Sequence, residues 1–536
     1  MALDNPPISF DQGEKIISLL EHMIWLLEDQ NSTKEISHRE PGTLPIPAFG
    51  RYERAEYPEV SFNLFFDRSK ERIENPNGNG ELLYPPNGSD NKVLYDTIAP
   101  LIGHINGTVR IYDVKDYESA SKTFGKNDVN IYPIDLWLEF PKMFGNCISN
   151  ISVKARELIA DKKLSLFLLL MGESFGCDEH QWIKKLSQSI IGHGLADSKI
   201  AISCADLKFN KNYEQWCEVN PEIPAQFKFK NIVPFEYFQL LYLIQYLSRT
   251  GRWMPEGKPA KYATEGTLKP LSEAEVMLNV PNSESKKKDF MCMNARIRPH
   301  RIAMISELHR LGMHDNFISL LFRGESTDTI TGRGNLHTYI KEQFFENEQQ
   351  VEWFETMFVK NRLKRRIIMD AHEEVISDDR ILNKKYFEES YFSLVTETNF
   401  GLPFYDNPEF ALYMRKEPYN RTMFITEKTF KPLAYFHPIL MLGSPGTLAF
   451  LQDEGYETFP EMFDESYDLM TDDKERFNAV VNQAYTWSKK SDADKREIYD
   501  SVKKKLHHNH EHFIGKYNNL KRRQNNYFRY IGGVLR

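Results

Sequence analysis

Short apolar runs alternate along this chain with stretches of helical period. In the first half the β-prone runs lie at residues 108–112, 129–132, 164–171, 200–203 and 232–235. Each is too short for an independent helix and suits a strand covered on both faces. Residues 153–160 and 181–191 carry apolar positions at helical spacing between them. Strands alternating with helices predict a parallel sheet with helices on both faces.

A second alternation follows a stretch rich in Gly, Pro and charge at 251–285, which reads as an interdomain connection. Strands are predicted at 289–293, 317–322, 391–395 and 439–442, and helices at 302–311, 337–345, 351–358 and 447–453. From residue 472 onward the pattern is helical and increasingly basic, and 16–27 reads as an amphipathic helix. The expected fold class is α/β: two Rossmann-like doubly wound domains facing a cleft, with a helical C-terminal tail. The expected divisions are an N-terminal helix and linker (1–50), a first Rossmann-like domain (51–250) and an interdomain linker (251–287). A second Rossmann-like domain (288–470) and C-terminal helices packing back on the first domain (471–536) complete the chain. In such sheets ligands bind beyond the carboxyl ends of the strands.

Composition narrows this only a little. With 536 residues, 41% hydrophobic and 27% charged, the chain is globular and too long for one ordinary domain. A formal charge of −8 argues against general attraction to nucleic acid or membranes. The five cysteines show no metal-ligand spacing, and the first residues show no secretory leader. No apolar run reaches the length of a membrane span, so a cytoplasmic protein is expected.

Two segments carry candidate chemistry. In Met423-Phe-Ile-Thr-Glu-Lys-Thr-Phe-Lys-Pro, Thr426 occupies an N-cap position, with Glu427 and Lys428 in the first helical turn. Pro432 is deep for that start and would move it toward Thr429. The apolar strand 439–442 ends in Gly443-Ser-Pro-Gly446 before another helix. A carboxylate here can accept from ribose hydroxyls and a lysine can reach a diphosphate; equally, Glu427 can simply complement the helix dipole while Lys428 is solvated. In Met293-Asn-Ala-Arg-Ile-Arg-Pro-His-Arg301, one short loop at a strand's carboxyl end holds Asn294, Arg296, Arg298, His300 and Arg301. Arginine at a helix N-terminus opposes the macrodipole unless an anion offsets it, and its planar fork suits phosphate.

These segments in this order, with Ser393-Leu-Val-Thr-Glu-Thr-Asn-Phe400 between them, resemble the donor-binding half of GT-B glycosyltransferases over residues 288–460. The chain resembles the α1,3-fucosyltransferase family, and also glycosyltransferase-like proteins encoded by bacteriophages. The resemblance implies a GT-B fold and transfer of a sugar from a nucleotide-diphosphate donor, used as co-substrate without a cofactor. It implies that Arg301 and Lys428 bind diphosphate and Glu427 the ribose, within a donor site of Asn294, Arg296, Arg298, Arg301, Glu397, Thr426, Glu427, Lys428 and Gly443. A glycan, protein, lipid head group or modified DNA base could be the acceptor, in the host cytoplasm if the chain is viral. Thr396-Glu397-Thr398 replaces the family's Glu-Asn-Ser, and Asn294 stands one residue farther from its arginine, so fucose is not assigned.

Such catalysis needs a base for the acceptor. The strand at 164–171 delivers Gly172-Glu173-Ser174, which makes Glu173 the expected base, against a plain reading as a solvated loop glutamate. Asp178 and His180 are weaker alternatives. No Asp-x-Asp ends an apolar strand, so a metal-independent enzyme is expected. The histidines at 507, 508, 510 and 512 read as a polar helix face rather than metal ligands. Two other readings stand beside the transferase: a non-catalytic nucleotide- or sugar-binding protein, and a nucleotide-sugar epimerase on the same fold.

Overall fold

A computed structural model describes residues 61–67, 109–136, 148–149, 151–170, 176–177, 181–229, 232–234, 253–255, 266–268, 280–294, 298–320, 334–356, 384–400 and 421–536. All of them fall within one compact unit, Pro47–Arg536. The expected base Glu173, its alternatives Asp178 and His180, and Arg296 lie outside the described residues.

Two parallel sheets organise the described chain, an arrangement compatible with two Rossmann-like domains. The first is built from β1 (Ser61–Phe66), β2 (Val109–Asp113), β3 (Asp128–Asp135), β4 (Ser165–Leu170), β5 (Ile200–Cys204) and β6 (Ile232–Pro234), in the order β2-β1-β3-β4-β5-β6. Every pairing is parallel, with Leu166 opposite Ile200 as one register point. Alternation along β4 divides its side chains between two cores. Leu166, Leu168 and Leu170 pack with α1 (Val153–Ala160), α2 (Trp182–Gly192) and α3 (Phe209–Val219). Phe167 and Leu169 face the other way and join the core of the second sheet.

Strand β1 was not expected from its pattern, because polar Asn63 interrupts it. In the sheet Asn63 is buried, and its amide donates to the side chains of Asn130 (2.8 Å) and Asp128 (3.2 Å). A buried amide is tolerated when its hydrogen bonds are met within the sheet. A further departure lies in the expected connection, where β7 (Trp253–Pro255) and β8 (Gly266–Leu268) form an antiparallel pair.

The second sheet has the order β10-β9-β11-β12, again all parallel, with β9 (Lys288–Asn294), β10 (Phe317–Leu320), β11 (Ser390–Thr396) and β12 (Ile439–Leu442). Phe290 and Cys292 of β9 face the large shared core, while Met291 meets Tyr386 and Phe387 on the other face. Helix α4 (Pro299–Arg310) starts earlier than its apolar period suggests, because proline's fixed φ suits the first turn. His300 and Arg301 are therefore helical and buried rather than part of an open loop. Helices α5 (Gly334–Phe344) and α6 (Glu348–Phe354) follow β10.

After β11 come α7 (Glu427–Ala434), β12, α8 (Thr447–Asp453) and the tail helices α9 (Asp473–Ser488), α10 (Asp492–Ser501) and α11 (Lys503–Leu535). Helix α7 begins at Glu427, not near Thr429, and contains Pro432. Its C-terminal end leaves Phe436 in the left-handed region at φ 54°, and His437 N–H closes back onto the Pro432 carbonyl at 2.9 Å. Helix α11 supports that turn: the His510 ring stacks on Phe436, and its Nδ1–H donates to the Ala434 carbonyl at 2.8 Å. At its far end α11 reaches the first sheet, where Ser165 Oγ–H donates to the Leu535 carbonyl at 2.7 Å. No described helix is long and apolar enough to cross a membrane.

Candidate functional site

The central strands of the second sheet, β9 and β11, end side by side, and their ends are joined through side chains. Asn294 is buried, and its Oδ1 accepts from Thr396 Oγ. The next residue, Glu397, is only 1% exposed. Its Oε1 accepts from Thr426 N–H (3.0 Å) and the Thr429 hydroxyl, and its Oε2 from the Thr426 hydroxyl (2.7 Å) and Thr398 N–H (2.9 Å). Glu397 is thus a buried acceptor at the N-terminus of α7, where unpaired N–H groups need partners. It fixes where α7 starts. Thr426 is the N-cap in turn, accepting from Lys428 N–H.

From the other side, the first turn of α4 grips the end of β11. Arg301 Nη2 donates to the carbonyls of Thr396 (3.1 Å) and Glu397 (3.2 Å), and His300 Nε2–H donates to the Glu397 carbonyl at 2.9 Å. Burial, with Arg301, Arg298 and Lys428 nearby, holds the His300 pKa far below its usual value, so the ring is neutral. A carbonyl acceptor requires that its proton sit on Nε2. Burial and Arg298 lower the Arg301 pKa to about 10 against the pull of Glu397 and Glu427, which leaves it a cation at neutral pH.

Less deeply buried than this scaffold are Arg298, Glu427 and Lys428. Arg298 is half-buried at the extended N-cap position of α4. Lys428, 27% exposed, donates to Glu427 Oε1 (2.9 Å) and to the hydroxyls of Thr398 and Thr426 (both 3.1 Å). Burial would raise the Glu427 carboxyl, but Lys428 and Lys431 bring it down to about 2. Arg301, Lys428 and Lys431 act on the Glu427 carboxylate and Arg301 also on Glu397, with Arg298 beside Arg301, so cations outnumber carboxylates here. The arrangement can receive an anion through Arg298 and Lys428 and accept hydroxyl donors at Glu427.

The other expected residues divide clearly. Asn294, Arg301, Glu397 and Thr426 are buried in the framework just described. Gly443 lies apart at the end of β12; its carbonyl accepts from Arg476 Nε at 3.1 Å, and a Cβ there would come 3.3 Å from Thr447 Oγ. The helix after it is already capped by a carboxyl of the protein's own: Asp468 accepts from Leu448 N–H (3.1 Å) and Ala449 N–H (3.2 Å), and burial raises its pKa. Nothing in the sequence around Asp468 signals this role, which depends on a contact across 20 residues. Of the tail histidines, His508 Nε2–H donates to the Gly455 carbonyl (2.9 Å) and His512 Nε2–H to the Glu454 carbonyl (2.6 Å).

An open cavity of about 500 Å³ lies elsewhere, lined by Phe345, Asn347 and Val351 with Glu346, Glu348, Glu352 and Glu355. Its four carboxylates would repel a phosphate. Among the described residues no group of three His, Cys, Asp or Glu side chains is arranged to hold a metal. Comparison with known proteins found no family model, no curated protein and no solved structure that matches this chain.

Proposed function

We propose that the second half binds a nucleotide-diphosphate sugar beyond the carboxyl ends of β9 and β11, and that the protein transfers the sugar as a GT-B glycosyltransferase. The observation that carries this reading is the pairing of part-buried Lys428 with ionised Glu427 in the first turn of α7, with the cations Arg298 and Arg301 at the start of α4 beside it. Arg298 and Lys428 take the diphosphate and Glu427 the ribose hydroxyls. Arg301, 2% exposed and donating to two carbonyls, positions the end of β11 rather than touching phosphate in this conformation. An acceptor oxygen attacks the anomeric carbon, the bond to the diphosphate oxygen breaks, and the departing anion is stabilised by the two cations without a metal. Glu173 is the proposed base for the acceptor proton. The acceptor is a glycan, a protein, a lipid head group or a modified DNA base.

The test is product analysis in EDTA, with labelled sugar nucleotides and these acceptor classes. Label on an acceptor, or released to water, supports transfer. Binding of unchanged donor would point to a non-catalytic protein, and conversion of the donor sugar to an epimerase; either result overturns the proposal.

A further inference from the structure

A buried carboxyl joins the two halves away from that site. Asp206 follows the end of β5 and is 0% exposed. Its Oδ1 accepts two N–H groups, one from Lys208 in its own loop (3.0 Å) and one from Met423 in the other half (2.8 Å). The neighbouring Leu207 N–H donates to the Met423 carbonyl at 2.9 Å. Both backbone groups of Met423 are therefore held by consecutive residues of the first half. Lys208 Nζ donates to the Pro445 carbonyl (2.9 Å) and Asn212 Nδ2 to the Arg421 carbonyl (3.0 Å), while Ser444 Oγ–H holds the Thr422 carbonyl at 2.7 Å. The segment 421–426 gripped in this way leads directly into Thr426, the N-cap of α7.

We propose that Asp206 is a proton-dependent latch between the two halves, docking the segment 421–426 when protonated and loosening it when ionised. Its Oδ2 has no hydrogen-bond partner among the described residues, so a charge there is buried with one oxygen unanswered. A proton on Oδ2 removes that charge and leaves Oδ1 free to accept both N–H groups.

The groups facing the carboxyl offset only part of the cost of burying its charge. From its own strand comes the Cys204 thiol, which burial and Asp206 push well up and keep neutral. From α3 and its approach come the Lys208 ammonium and the Asn212 amide. Lys208 also answers Asp468 and is opposed by Lys211 and Arg476. The second half presents the Met423 backbone, and Arg421 nearby is paired with Asp473 at 3.2 Å. Burial raises the Asp206 carboxyl from 3.8 to about 7, against the lowering effect of the Met423 and Lys208 N–H groups, the Lys208 ammonium and the Asn212 amide.

The docked form therefore binds its proton more tightly than the undocked form. Docking is strongest in acid and weakens as pH rises from about 4 through 7. Between pH 6 and pH 8 the docking equilibrium should fall about tenfold.

Hydrogen exchange of the ligand-free full chain, corrected for intrinsic amide rates, tests this without reference to sugar transfer. Protection of peptides covering 205–209 and 421–426 should fall about tenfold between those pH values relative to the β12 strand. In Asp206→Asn it should not change. Constant relative protection in the parent protein overturns the latch whether or not the variant folds. An equal fall in Asp206→Asn overturns it too, since another group would then carry the pH dependence.

Discussion

Glu427 and Lys428 are neighbours in sequence with separate tasks in the proposed site, and each also serves the other. Their 2.9 Å pair holds the Glu427 carboxyl at about 2, so it is ionised throughout the neutral range. The stability linked to that depressed pKa is present above about 4.5 and is lost only as pH falls through 2. Glu427→Gln should therefore cost no more than about 1 kcal/mol of stability at neutral pH, because the pair is partly solvated. Nucleoside-diphosphate affinity should fall about tenfold or more, since the amide can accept at one oxygen only. A 2′-deoxy nucleotide should bind the parent less tightly and show little further loss in the variant. Calorimetry of this double cycle decides between the ribose role and a dipole role; independent, additive losses would exclude the ribose contact.

Helix α7 shows how an element with a poor local sequence is held by its surroundings. Pro432 removes one backbone donor from a helix of only eight residues. Glu397 anchors the amino end, and α11 receives the carboxyl end through His510. A different face of α11, carrying His508 and His512, closes over the turn after α8. There Gly455 has φ +91°, and a Cβ on it would lie 2.7 Å from the His512 ring. Gly455→Ala should lower stability by about 1–3 kcal/mol through backbone strain, with the clash added to it. Thermal unfolding checks this, and adding His512→Ala should recover only the clash. A melting temperature equal to the parent's would show that α11 does not pack on this turn as described.

At the scale of the molecule, the two sheets share one core. The inner face of the first sheet, with Phe62, Leu64, Phe167 and Leu169, is continuous with the second-sheet core and with Ile531 and Leu535 of α11. Ile531 is 0% exposed. Ile531→Ala should cost about 2–5 kcal/mol, the range for a truncated core aliphatic. Because the core is continuous, the loss should reach both halves. Trp182 and Trp216 report on the first-sheet core and Trp487 on the second, so single-tryptophan versions followed in urea should shift their midpoints together. Destabilisation confined to one reporter would show that the halves unfold independently.

The hydrophobic pattern by itself determined the parallel α/β character and most of the strand positions. Residues 439–442 and 200–202 are apolar runs bounded by turn-forming or polar residues, and burial on both faces leaves such a run little choice but a covered strand. The cluster at the ends of β9 and β11 was also legible, because strand ends carrying Asn, Arg, Glu and Thr stand out against apolar strands. What each member does there was not legible. Arg298 and Arg301 are alike in sequence, yet the helix beginning at Pro299 turns Arg301 inward onto two carbonyls and leaves Arg298 half-buried. Glu397 and Glu427 are likewise indistinguishable until Thr426 and Thr429 enclose the first and Lys428 pairs with the second. Asn63 interrupts its strand in sequence and is satisfied only by Asn130 and Asp128 on a neighbouring strand. In each case the deciding partner is a hydrogen-bonding group distant in the chain, and local propensity cannot encode which buried polar groups will meet.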